Sequence, residues 1–192
     1  MLPDPEALRQ VVSFLVEERI PYMVIGGLAN AVWGQPRLTH DADFKVSLGD
    51  QPLSDFRIKV LARFPERETN IPLHKRSPQV IHIWGSTGVP VDILASLFDY
   101  ERDAIARAVE RPVQGVPVRV CTAEDFVIHK AVANREQDWI DMERVLIRQR
   151  GILDHEYILG WLRQFAEALE SAEMLARYQA LRARHDPDME SE

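Results

Sequence analysis

The sequence lacks the features of a membrane-spanning or disulfide-stabilised protein. It has a single cysteine, Cys121, so no disulfide bond can form within the chain, and a reducing compartment is expected. No apolar run approaches the roughly 18 residues that span a bilayer. The first residues show no basic segment followed by an apolar one, as a signal peptide would. These absences predict a cytoplasmic globular protein with no membrane partner.

A strong excess of one charge is also missing from most of the chain. The formal net charge is −7, but four of the acids lie in the last seven residues, 186–192. Small basic clusters occur at Lys75 and Arg76 and among the arginines of 144–150. The charge therefore neither requires nor excludes a nucleic-acid partner.

Hydrophobic spacing and turn residues predict an α/β chain whose last part is helical. Helices are predicted at 5–19, 28–33, 50–64, 98–111 and 122–149, and strands at 21–25, 41–46, 80–84, 89–96 and 116–120. Roughly helical spacing of apolar residues also extends over 155–184. The strands on either side of "GSTG" predict a hairpin. We expect a core domain over 1–120, a helical subdomain over 121–185 and an acidic tail over 186–192.

Two aspartates, Asp41 and Asp43, stand in what otherwise reads as a buried strand. Because alternate strand residues face the same side, both carboxylates share one face, opposite Ala42 and Phe44. Carboxylates this close repel each other unless Arg or Lys side chains or a divalent cation neutralise them. Asp92 alternates with apolar neighbours, and a strand paired beside the first would bring it next to the other two. Three carboxylates on adjacent strands are typical of two-metal phosphoryl transfer, and oxygen ligands favour Mg²⁺.

A glycine pair, Gly26 and Gly27, follows the first predicted strand and opens a short helix. Glycine lets backbone N–H groups approach a phosphate closely, and a helix N-terminus favours anions. Neither a Walker loop nor the three-glycine dinucleotide fingerprint is present. Taken singly, both motifs also have structural interpretations: the glycine pair as a turn, and Asp41 and Asp43 as caps of backbone groups at the start of a strand.

Together, these residues resemble the signature of the nucleotidyltransferase superfamily that includes DNA polymerase beta. The closest likeness is to small bacterial AbiEii-like and MenT-like nucleotidyltransferases. The matching positions in "GGLANAVWGQPRLTHDADFKV" are Gly26, Gly27, Ala29, Arg37, Thr39, Asp41 and Asp43, with Ala42 in place of the usual Ile. A second segment, "TAEDFVIHKAVANREQDWIDMERVL", is similar to the family's helical motif through Lys130, Arg135, Asp138 and Asp141, with Gln137 in place of a base.

The resemblance, which covers roughly residues 20 to 165, implies a small mixed sheet with flanking helices and assigns roles to the matching side chains. Asp41, Asp43 and Asp92 would bind Mg²⁺ or Mn²⁺, and Asp92 would also deprotonate the acceptor. The nucleotide would be held by Gly26, Gly27, Arg37, Thr39 and Lys130. Two structural alternatives remain: Lys130 as a solvated helix lysine, and Arg135 with Asp138 and Asp141 as a salt-bridged helix surface. His40, His82 and His129 receive no role.

The function implied is transfer of a nucleoside monophosphate from an NTP to a hydroxyl acceptor. The acceptor stays open between tRNA, a protein and a small molecule. The resemblance also raises a toxin role, with an antitoxin or a second copy of the chain as partner. The alternative is a catalytically inactive nucleotide-binding or interaction module of the same fold.

Two other enzyme classes use an Asp-x-Asp motif. Aspartyl phosphatases need a strongly apolar strand that runs into the first aspartate, whereas "PRLTH" precedes Asp41. Most metal-dependent glycosyltransferases are longer than 192 residues. Both classes are disfavoured.

Overall fold

The computed structural model describes residues 2–70, 72 and 77–186. The elements, in chain order, are α1 (Pro5–Glu17), β1 (Tyr22–Ile25), α2 (Gly26–Trp33), β2 (Ala42–Val46), α3 (Leu53–Arg63), β3 (Val80–Trp84), β4 (Pro90–Ala95), α4 (Asp99–Arg107), β5 (Val109–Val113), β6 (Val116–Val120), α5 (Ala123–Ala133), α6 (Glu136–Arg148), α7 (His155–Ala168) and α8 (Ala172–His185). The predicted mixed sheet with flanking helices is confirmed. Within these ranges, no helix has both the length and the apolarity that crossing a membrane requires.

The six strands form one mixed sheet in the order β3-β4-β2-β1-β6-β5. β1 pairs antiparallel with β2 and parallel with β6, while β2 pairs parallel with β4. β3 with β4, and β5 with β6, form antiparallel pairs. The hairpin predicted around "GSTG" is therefore confirmed. The parallel neighbour of β4 in this hairpin is β2, the strand that carries Asp43.

The two faces of the sheet differ in burial around β2 and β4. Ala42, Phe44 and Val46 of β2 are at most 1% exposed, and Val91 and Ile93 of β4 are fully buried. The residues between them on both strands are only partly buried. The alternation seen in the sequence thus separates an apolar core face from an open polar face.

Two compact units make up the chain. The first contains the residues up to Leu28 together with Arg37–Cys121, and it holds the whole sheet. The second contains Ala29–Pro36 and the residues from Thr122 onward, including α5 to α8. The division into 1–120, 121–185 and 186–192 stays a prediction. Lys75, Arg76 and residues 187–192 lie outside the described residues.

The single helix predicted over 122–149 is wrong, because the chain turns at Asn134. This residue adopts a left-handed conformation (φ 52°) that asparagine tolerates better than most residues. Its N–H bonds to the carbonyl of Lys130, and its side chain accepts a 2.8 Å hydrogen bond from the indole of Trp139. The turn separates α5 from α6 and lets the two helices pack against each other.

The helix predicted over 98–111 is also wrong in its last part. α4 ends at Arg107, and 109–113 form the edge strand β5. Gln114 and Gly115, both with positive φ, form the two-residue connection to β6 that a tight hairpin turn requires. β5 exposes its three middle residues, so its charged pattern gave no sign of a half-buried strand.

Candidate active site

Asp43 and Asp92 lie directly beside each other on the open face of the sheet. β2 and β4 are parallel neighbours, and Asp43 is the register partner of Asp92. Neighbouring strands are about 4.8 Å apart, and register partners point to the same face. Asp41 stands just before β2, two residues ahead of Asp43. The pairing that the sequence required of Asp92 and Asp43 is thus present in the structure.

The glycine turn approaches Asp43 closely. Ile25, the last residue of β1, is the register partner of Asp43, and Gly26 follows it with a φ of +62°. A Cβ atom at Gly26 would lie only 2.1 Å from Oδ2 of Asp43. Glycine is favoured here both by the backbone conformation and because a larger residue would displace the carboxylate of Asp43.

Gly27 makes a similar approach to the loop before β2. A Cβ atom there would lie 2.5 Å from the hydroxyl oxygen of Thr39, a residue that is 7% exposed. This hydroxyl donates a 2.8 Å hydrogen bond to Oδ1 of Asp41. Thr39 therefore connects Gly27 to Asp41. The structure brings both glycines, Thr39 and the first two aspartates into one cluster.

Two residues without a predicted role hold Asp92. The Nδ1 atom of His82 lies 2.8 Å from Oδ1 of Asp92, and the guanidinium of Arg67 donates to the same oxygen. Nδ1 of His82 also lies 3.3 Å from a guanidinium nitrogen of Arg67, so whether it donates to Asp92 or accepts from Arg67 depends on its tautomer. His82 is the register partner of Asp92 across the β3–β4 hairpin. The alternation of "VIHIW" indicated that His82 faces the polar side, but not which residue it opposes.

Lys45 continues the polar face of β2, two residues beyond Asp43. It forms an ion pair with Glu101 of α4, and the two side chains are 12% and 13% exposed. Burial alone would raise the pKa of Glu101, but hydrogen bonds from Lys45 and from the backbone N–H groups of Leu97 and Phe98 lower it. The charge of Lys45 is therefore balanced by Glu101.

Arg37 lies in the loop before β2, as predicted. Its guanidinium donates a 3.3 Å hydrogen bond to the carbonyl of Leu38, the next residue. The role of Arg37 in nucleotide binding stays a prediction.

Lys130 belongs to a buried ion-pair network in the second unit. Its Nζ atom lies 2.7 Å from a carboxylate oxygen of Asp138 and 2.9 Å from one of Asp141. Lys130 is 6% exposed, and the two aspartates are at most 1% exposed. The alternative of a solvated lysine is therefore wrong. Of the salt-bridged helix surface, the ion pair of Arg135 with Asp138 is present, but the two aspartates are buried. The predicted contact of Lys130 with nucleotide phosphates stays a prediction.

Asp138 also accepts hydrogen bonds from the exposed side chain of Arg135, the closer at 2.7 Å. Burial alone would raise the pKa of Asp138, but the bonds from Arg135 and Lys130 outweigh burial and lower it. This aspartate is thus held in its ionised form between two cations.

The side-chain oxygens of the three aspartates suit a hard metal ion. Asp41, Asp43 and Asp92 offer carboxylate oxygens, and Mg²⁺ commonly binds one or two carboxylates together with substrate phosphate. In the part of the chain that the structure describes, no group of three or more His, Cys, Asp or Glu side chains is arranged to hold a metal ion. The metal site that the sequence predicts at these three aspartates stays a prediction.

The family to which the chain belongs follows from its sequence. Residues 4–179 match the family described as nucleotidyl transferase of unknown function (DUF2204). The chain is a member of this nucleotidyltransferase family. No curated protein matches it. The likeness to the nucleotidyltransferase superfamily is thereby confirmed, whereas the closer likeness to AbiEii-like and MenT-like proteins is not shown.

Solved structures similar to this chain include three with related descriptions. An antigenic nucleotidyltransferase-like protein from Paracoccidioides brasiliensis is 17% identical over 92% of this chain and 94% of its own, with a TM-score of 0.49. A putative nucleotidyltransferase from Thermotoga maritima is 18% identical over 85% and 96%, with a TM-score of 0.45. The lincosamide antibiotic adenylyltransferase LnuA, solved with lincomycin bound, is 12% identical over 74% and 96%, with a TM-score of 0.49. At these identities the similarity concerns the fold alone.

Proposed function

We propose that this chain transfers a nucleoside monophosphate from an NTP to a hydroxyl acceptor and that the reaction depends on Mg²⁺ or Mn²⁺. The proposal rests on the juxtaposition of the glycine turn with the paired carboxylates. A Cβ atom at Gly26 would lie 2.1 Å from Oδ2 of Asp43, so any other residue would force this carboxylate to shift, and Asp43 adjoins Asp92 in register. A turn that can accept phosphates and a pair of carboxylates are the two parts that transfer of a phosphoryl group requires.

The reaction consists of in-line attack at the α-phosphorus. A bond forms between the acceptor oxygen and the α-phosphorus, and the bond to the bridging oxygen breaks, so that pyrophosphate leaves with the electron pair. Asp92 accepts the proton of the acceptor hydroxyl. Gly26 and Gly27 bind the triphosphate through backbone N–H groups at the start of α2. Asp41 and Asp43 would hold the metal ion, which supplies neutralisation of phosphate charge when bound.

Thr39 keeps Asp41 in place for this role. The hydroxyl of Thr39 donates a 2.8 Å hydrogen bond to Oδ1 of Asp41. The close approach of Gly27 restricts the position of the Thr39 side chain. A carboxylate held in one orientation loses less entropy when it binds a ligand. In this proposal Thr39 acts through Asp41, and contact of Thr39 with the nucleotide is not needed.

An acceptor screen tests the proposal. The protein is incubated with Mg²⁺, a cell extract and each of ATP, CTP, GTP and UTP radiolabelled at the α-phosphate. We expect one nucleotide to label a component of the extract, which identifies the acceptor as RNA, protein or small molecule. Asp43→Asn should abolish the labelling, because the amide loses the negative charge that binds the metal ion.

Asp50→Asn is the matched control, since Asp50 is an exposed aspartate just beyond β2. It should label the extract like the wild type. Absence of labelling with every nucleotide, or equal labelling by Asp43→Asn, would contradict the proposal. Nucleotide binding without transfer, measured by calorimetry, would establish the inactive binding module instead.

The toxin role, with an antitoxin as partner, stays a separate proposal, which only the resemblance of the sequence motifs raises. Expression of the chain should then arrest growth, and Asp41→Ala should relieve the arrest. Normal growth at a high expression level of the active enzyme would rule out this role.

A further inference from the structure

Two neighbouring side chains contact the carboxylate of Asp92 on the open face of the sheet. Arg67 donates to Oδ1 of Asp92, and Nδ1 of His82 lies 2.8 Å from the same oxygen. The side chains of Arg67 and Asp92 are 18% and 22% exposed, and that of His82 is 15% exposed. Partial shielding from water strengthens such contacts. The carboxylate is thus fixed through one of its two oxygens.

Arg67 is itself anchored along the free edge of β3. Its backbone N–H donates a 2.9 Å hydrogen bond to the carbonyl of His82. The backbone N–H of Trp84 donates a 2.8 Å hydrogen bond to the carbonyl of Pro65. An isolated bridge joins Glu66 to Ile83 between them. The segment 65–67 therefore runs antiparallel along the edge of β3 through these three contacts.

The guanidinium of Arg67 also contacts an aromatic ring. Its central carbon lies 5.8 Å from the ring centroid of Trp84, within the range of a cation–π interaction. Trp84 faces the same side of β3 as His82, because the two are separated by one residue. The cation is thus fixed at its backbone, at the aromatic ring and at Asp92.

We propose that Arg67 and His82 are positioning residues that orient Asp92 for the acceptor hydroxyl. Both side chains contact Oδ1, so the direction of Oδ2 is set before the acceptor binds. Arg67 also offsets the repulsion between Asp92 and its register partner Asp43. The inference rests on the proposed function, since it concerns the group that accepts the acceptor proton.

The test compares two pairs of variants in the labelling reaction with the cell extract as the acceptor pool. Arg67→Gln and His82→Leu remove a donor, whereas Arg67→Lys and His82→Asn retain one near the same position. Misplacing a reacting group by about 1 Å costs on the order of 100-fold, so kcat should fall about 10- to 100-fold in the first pair. KM for the NTP should change less than about twofold, because these variants alter the orientation of Asp92 and not the binding of the NTP. The second pair should recover most of the rate.

A second readout separates orientation from metal binding. Titration of Mn²⁺ into the protein without nucleotide is followed by electron paramagnetic resonance. Because Arg67→Gln removes a cation beside Asp92, Mn²⁺ should bind with unchanged or higher affinity while kcat falls. Thermal unfolding establishes that each variant is folded. Weaker Mn²⁺ binding that accounts for the whole loss in kcat would overturn the positioning role.

Arg57→Gln is the matched control. Arg57 pairs with Glu66, the residue next to Arg67, at 3.0 Å, and the two side chains are 36% and 56% exposed. Wild-type kcat in Arg67→Gln, or a loss no larger than in Arg57→Gln, overturns the inference and leaves the proposed function intact. Absence of transfer by the wild type overturns both.

Discussion

At the scale of single residues, Gly26 combines two constraints at one Cα atom. Its φ of +62° disfavours any L side chain, and a Cβ atom would lie 2.1 Å from Asp43. Gly49 has a similar φ of +55°, but a Cβ atom there would meet nothing within 4 Å. The two glycines therefore separate the cost of backbone strain from the cost of a collision with Asp43.

Substitution by alanine at both positions measures this difference. Gly49→Ala should lower the free energy of unfolding by about 1–2 kcal/mol, the cost of a left-handed backbone. Gly26→Ala should lower it by about 1–3 kcal/mol more, because the carboxylate of Asp43 must move. Urea denaturation gives both values, and transfer activity should be lost only in Gly26→Ala. Equal values for the two variants would show that Asp43 moves aside without cost.

At the scale of elements, Lys130 joins α5 to α6. Its ammonium group is buried between Asp138 and Asp141, and the turn at Asn134 makes this contact possible. Replacing one partner of a buried ion pair leaves a charge without compensation, which costs about 3–5 kcal/mol. The network therefore stabilises the pairing of the two helices whatever else Lys130 does.

Lys130→Met should lower the free energy of unfolding at pH 7 by this amount of about 3–5 kcal/mol. In the wild type the pKa of Asp138 is lowered, so its contribution is present above the unfolded pKa of about 3.9 and is lost as the pH falls below it. In Lys130→Met, by contrast, protonation of Asp138 relieves buried negative charge, so the folded variant gains stability as the pH falls. The difference between wild type and variant should therefore narrow from pH 7 to pH 4.

Urea denaturation over this pH range measures the narrowing. Lys59→Met is the control, because Lys59 forms a more exposed ion pair with Glu18 in the first unit. Its effect should be below about 1 kcal/mol at every pH. A constant deficit for Lys130→Met from pH 7 to pH 4 would contradict the assignment of a charged network.

The elements also show which parts of the site the sequence could reveal. Alternation was enough to put Asp43 and Asp92 on one polar face, because apolar and polar residues alternate along β2 and the apolar Val91 and Ile93 flank Asp92 in β4. Register was not predictable in the same way. The connection between β3 and β4 has five residues, 85–89, and a shift of one residue decides whether His82 or a neighbour meets Asp92. Arg67 lies outside the main strands, so no periodicity indicated it.

At the scale of the whole molecule, the apolar core and the proposed active site lie on opposite faces of one sheet. The buried face of β2 and β4 carries side chains such as Phe44 and Ile93, which are fully buried. The open face carries Asp43, Asp92 and His82. Substitutions on the open face should therefore change binding with little effect on the core. This separation makes ligand-induced stabilisation a direct measure of nucleotide binding.

Thermal unfolding with each Mg²⁺–NTP then gives the last prediction. A ligand at 100 times its dissociation constant stabilises the folded state by about 2.7 kcal/mol, provided that it binds only that state. For a chain of this size, that corresponds to a rise in Tm of about 5–10 °C. The nucleotide that the enzyme uses should give the largest rise, and Asp43→Asn should remove it, whereas Asp50→Asn should not. A rise that is equal in Asp43→Asn would place nucleotide binding away from β2, and the proposed active site would then be wrong.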